Sequence, residues 1–84
     1  MNESIKQVAV PVLEIRGDAK TRSEIMEFNG FAAAMRGRDF KTYHQHYLVV
    51  AERGRILAEQ IGQKGGVFKK IQNMALAFEK ESAK

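Results

Sequence analysis

Apolar residues recur at helical spacing through the middle of the chain. Phe40, Tyr43, Tyr47, Val50, Ala51, Leu57, Ala58 and Ile61 share one wide stripe. Asp39 stands just before it with a side chain suited to an N-cap, so the pattern predicts one unbroken helix from Phe40 to about Ile61. Within the stripe, Tyr43, Tyr47, Val50, Gly54, Leu57 and Ile61 alternate steps of four and three, the spacing of a helix–helix seam. Gly54 lies inside that seam, which implies either the close approach of a neighbouring backbone or a bend. Val49 and Ile56 fall outside it, nearly opposite, and form a second apolar line that is a candidate protein interface.

Two shorter patterns flank this helix. Ile25, Phe28, Phe31, Ala32 and Met35 occupy one face of an expected first helix. Thr21 and Glu24 have capping-box spacing at its start, Gly30 weakens its interior, and Gly37 suits its stop. After the GQKGG loop at residues 62–66, a third helix is expected from Val67 to about Lys80, with Val67, Phe68, Ile71, Met74, Ala75 and Phe78 on one face. Residues 8–15, VAVPVLEI, suit a short strand that Pro11 confines to an edge, and Gly17-Asp18 then punctuates the chain. Residues 1–7 and the polar tail from Glu81 to Lys84 are expected to fray.

The fold class these patterns predict is all-α. An antiparallel hairpin of the first two helices is crossed by the third, with residues 1–20 as a flexible or extended arm and 21–84 as the helical domain. The arm is expected either to lie against the bundle or to pair with a second chain. The expected core is Ile25, Phe28, Phe31, Ala32, Met35, Phe40, Tyr43, Tyr47, Val50, Leu57, Ile61, Ile71, Met74 and Phe78.

Size changes the picture first. A chain of 84 residues supports one modest core and a stability of a few kcal/mol. There is no cysteine to form disulfides, so self-association, most simply a homodimer, is the expected route to further burial. The start carries no signal-peptide pattern and no stretch is long enough to span a bilayer, so a cytoplasmic protein without membrane contact is expected.

Charge narrows the partners. The net charge of +4 is concentrated in residues 36–70, which carry a net +5. Arg36, Arg38 and Lys41 surround the turn between the first two helices; Lys64, Lys69 and Lys70 surround the start of the third; Arg53 and Arg55 flank Gly54. These eight are candidate anion or nucleic-acid contacts, because lysine and arginine beside a glycine-preceded helix start can receive phosphate. The spacing does not match a nucleotide-binding loop, and no cofactor is implied.

Catalysis and metal binding find little support. His44 and His46 are two residues apart, which turns their rings roughly 200° from one another on a helix, so one helix cannot chelate with both. Asp39, Glu52 and Glu59 read as a cap and solvated charges. The few serines lie near the ends, and a chain this short has little room for a catalytic cavity beside its core. The expected function is therefore that of a small non-enzymatic regulatory or adaptor protein that binds another protein and itself. The alternative is a basic DNA- or RNA-binding protein contacting phosphates through residues 36–70.

Overall fold

The computed structural model describes residues 8–82, and the fraying expected of residues 1–7 and 83–84 lies outside them, whereas Glu81 and Ser82, also expected to fray, continue the last helix. Three helices follow an extended arm: α1 (Ala19–Ala34), α2 (Phe40–Gln60) and α3 (Gly66–Ser82). The all-α class is as expected. Among the described residues, α2 and α3 form the closest helix pair, joined by a five-residue link, whereas α1 meets α2 over a shorter length.

Each helix begins where local hydrogen bonding lets it. The cap of α1 is Asp18 and not Thr21: the Thr21 amide donates to the Asp18 carboxylate at 2.8 Å, which moves the start two residues upstream of the expected box. A carboxylate placed just after a turn satisfies first-turn amides directly, and Thr21 becomes a donor within that turn. Asp39 caps α2 as expected, accepting from the Thr42 amide and hydroxyl, both at 3.0 Å. The helix is not unbroken, however. Tyr43 departs from helical geometry (φ −110°, ψ 22°), so α2 is kinked within its first turn and regular beyond it.

The end of α2 is a Schellman motif. The Gln63 amide donates to the Ala58 carbonyl at 2.8 Å and the Gly62 amide to that of Glu59 at 3.2 Å, with Gly62 at φ +72°. A side chain at Gly62 would be strained there, which is why the helix stops on glycine. The Arg16 guanidinium reaches from the arm to the Ile61 carbonyl and covers another orphan acceptor of this end.

Gly54 is the point where all three helices converge. A Cβ built on it would lie 2.6 Å from the Phe68 ring and 2.8 Å from that of Phe28, and those two rings meet edge to face at 5.7 Å. The seam glycine therefore serves close approach, by two aromatic rings and not by a backbone. Around it the core comprises Ile25, Ala32, Tyr47, Ala51, Leu57, Ala58, Ile71 and Ala75, with Met35 and Phe40 closing the end beside the α1–α2 turn. Tyr43, Val50, Ile61, Met74 and Phe78 pack against it only partly buried. Two expected residues depart outright. Phe31 is 56% exposed, and Val67, expected on the inner face of α3, is 45% exposed. Phe31 sits on the edge of the line Ile25–Phe28–Ala32–Met35 that the core covers, about 100° around the helix from Ala32 but only about 40° from Met35.

The arm makes no strand among the described residues, but it is held as one. Val10 and Leu13 are buried, and the Asn29 side-chain amide brackets Leu13: its oxygen accepts from the Leu13 amide at 2.9 Å, and its nitrogen donates to the Leu13 carbonyl at 3.0 Å. A single amide thus supplies both bonds that a neighbouring strand would, which satisfies the backbone of a valine-rich segment with no sheet to join.

The two caps carry a pH dependence. The backbone amide and hydroxyl of Thr21 hold the Asp18 carboxyl below the usual carboxylate range, and those of Thr42 do the same for Asp39. A depressed folded-state pKa means stability that is complete above the unfolded value, near pH 4, and lost as pH falls through the lower folded values. Thermal midpoints are expected to be level above about pH 5 and to drop below about pH 4. Asp18→Asn with Asp39→Asn keeps two good caps and should flatten that drop. An acid limb undiminished in the double variant would show that other carboxylates carry it.

Candidate functional site

The partial contact between α1 and α2 leaves an open groove of about 810 Å³. Its floor is Phe28, Met35 and Val50, the outer side of the core itself. Phe31 and Ala34 form the α1 wall, and Tyr43, His46 and Val49 form the α2 wall. Phe31 and Val49 face into it while 56% and 64% exposed, so the groove is lined by large apolar groups still in contact with water. Charged groups stand at its ends and rim: Arg38 at one end, Glu27 and Arg53 towards the other.

The kink at Tyr43 shapes the first of these ends. The Tyr43 ring lies against His46 at 5.4 Å and under the Arg38 guanidinium at 5.3 Å. Arg38 also donates to the Ala34 carbonyl at 3.3 Å and to the Tyr43 hydroxyl at 3.5 Å. Beneath it, the buried Tyr47 hydroxyl donates to the Met35 and Arg38 carbonyls, at 3.1 and 2.9 Å, and ties down the turn that joins the two helices. At the other end Arg53 approaches Glu24 at 3.9 Å.

The residues singled out in the sequence are distributed as follows. Val49 lines the groove; Ile56 lies two turns further along α2, 37% exposed and outside the lining. The eight basic residues do not form one surface. Arg36, Arg38 and Lys41 gather at the α1–α2 turn, and Lys64, Lys69 and Lys70 gather at the start of α3. The intervening α2, at 21 residues, is about 30 Å long. Arg53 and Arg55 point about 200° apart around it: Arg53 turns to Glu24 on α1, while Arg55 bonds Glu59 at 3.0 Å and Gln72 on α3 at 3.2 Å. The histidines separate in the same way, His46 into the groove and His44 against Phe78 on α3 at 4.9 Å.

The groove-lining role of Phe31 and Tyr43 escapes the sequence pattern, because both fit an apolar stripe as well as any core residue. Ala34 is the available signal: a small side chain beside Phe31 leaves α1 with no bulk to close against α2. No protein-family model, no curated protein and no solved structure matches this chain.

Proposed function

We propose that this chain is a small cytoplasmic, non-enzymatic adaptor that binds another protein in the α1–α2 groove and also associates with itself. The observation that carries the reading is the groove: a floor continuous with the core, walled by Phe31 and Val49 with more than half of each in water. Covering those two side chains supplies on the order of 2 kcal/mol, a useful anchor for a partner and a standing cost without one. The apolar lining, with its charged groups at the ends and rim, favours a docking role over a catalytic one. Self-association is favoured by the size of the chain and by Ile56 and Leu76, exposed apolar groups outside the groove.

Val49→Asp is the direct test, because an exposed position tolerates the charge with less than about 0.5 kcal/mol of lost stability. Light scattering across a hundredfold concentration range should show the parent protein growing beyond a monomer. Capture of a partner should fail with the variant while its helical circular dichroism is kept. A parent that stays strictly monomeric removes the self-association, and a variant that captures its partner as well as the parent removes the groove.

A second reading, binding of DNA or RNA, is favoured by Lys64, Lys69 and Lys70. All three are exposed at the glycine-led start of α3 and make no ion pair among the described residues. On this reading the affinity for a mixed-sequence duplex falls with salt, and the logarithmic slope flattens by about 0.9 for each phosphate left without its lysine. Reversal of the three charges should abolish it. Absence of binding at low salt eliminates this reading.

A further inference from the structure

We infer that the groove is built for a three-turn amphipathic helix of another protein, docked with a carboxylate of its last turn against Arg38. The inference rests on the groove being a protein-binding face, and adds what occupies it and in which direction.

Length is the first argument. The α2 wall runs from Tyr43 to Arg53, ten residue steps or about 15 Å, which is close to three helical turns. Two helices that stand apart over an apolar floor lack only a third helix, whose side chains at every third and fourth position would pass between Phe31 and Val49 to that floor.

Polarity is the second. Arg38 has no carboxylate partner among the described residues; its guanidinium is exposed at the groove mouth and already aligned by the Ala34 carbonyl and the Tyr43 ring. The far end holds Glu24 and Glu27 against the single Arg53. The groove is thus positive at one end and negative at the other. A helix carries the matching dipole, its C-terminal carbonyls negative and its N-terminal amides positive. An occupant running antiparallel to α2 satisfies both ends at once, and a carboxylate in its last turn meets Arg38 as a charge-assisted hydrogen bond.

A second copy of this chain fits less well. Groove against groove would appose two concave faces and leave a dry void that a packed interface does not retain.

The probe is a labelled fifteen-residue peptide with leucines at helical spacing and glutamate in its last turn, compared with the same peptide carrying lysine there. Anisotropy at low salt should show the glutamate peptide binding about fivefold more tightly. Arg38→Gln should bring the two peptides level, and Arg38→Glu should reverse their order; Val49→Asp should lose both. Equal binding of the two peptides by parent and Arg38 variants alike overturns the directional inference and leaves the groove as a docking face. If neither peptide binds the parent but Val49→Asp turns an oligomer into a monomer, the occupant is a second copy and the inference is wrong. If neither binds and Val49→Asp changes nothing, the inference and the docking face fall together.

Discussion

Gly54→Ala is expected to destabilise the protein by about 1–2 kcal/mol, although alanine is the better helix former. The new methyl would stand 2.6 and 2.7 Å from two Phe68 ring carbons and 2.8 Å from the tip of Phe28. Both rings are buried and braced against each other, so neither can retreat without opening the core. Overpacking of this kind costs roughly 1–3 kcal/mol, against a propensity gain of at most about 1 kcal/mol. Gly54→Leu has no such offset and is expected to prevent the three helices from meeting at all. Gly30→Ala supplies the control, because nothing lies within 4 Å of its added methyl, and should stabilise α1 by roughly 0.5–1 kcal/mol. Urea midpoints would read the two alanine variants with opposite signs. A Gly54→Ala protein more stable than its parent would contradict the three-helix convergence.

Tyr47→Phe is expected to cost about 0.5–1.5 kcal/mol for a single oxygen atom. The hydroxyl is the shared donor for the Met35 and Arg38 carbonyls at the α1–α2 turn, and the residue is wholly buried. The Met35 carbonyl keeps its bond from the Arg38 amide at 3.1 Å and the Arg38 carbonyl is only part-buried, so the loss is close to the net worth of one hydrogen bond. Tyr47→Ala also removes a ring packed on Phe40 at 5.3 Å and should cost about 3–5 kcal/mol, comparable to the whole stability of so small a domain. Tyr47→Phe should still fold, but with a looser turn, and groove binding should weaken along with the thermal midpoint. If Tyr47→Phe melts with the parent, the turn is held by other means.

The basic residues show how a linear count misleads. Residues 36–70 look like one positive segment because they are consecutive, yet α2 carries its two groups of charge to opposite ends and turns Arg53 and Arg55 to opposite sides. Three of the eight are then engaged locally: Arg38 by the turn, Arg53 by Glu24, Arg55 by Glu59 and Gln72. Any binding of phosphate would have to use one end or the other, which limits the affinity that charge alone can supply.

Much of the architecture is legible in the order of residues. The stripe from Phe40 to Ile61, Asp39 as its cap and the glycine stop at 62 are local matters of side-chain periodicity and hydrogen bonding within a few residues, and they determine α2 almost to the residue. The buried line of α1 and the inner face of α3 from Phe68 onward follow for the same reason. What periodicity cannot carry is the relation between elements. It assigns Phe31 to the core, because a stripe has a width but no record of how far its neighbour extends. It leaves Val10 and Leu13 undecided, because the Asn29 amide that holds the arm is sixteen residues away from Leu13. The groove exists only because α1 and α2 stand apart between a turn pinned by Tyr47 and the contact of Phe28 with Gly54, and both of those ends are set by packing between residues far apart in the chain. Helices form from what lies three and four residues away; the space between them is decided by side chains that meet only after the chain has folded.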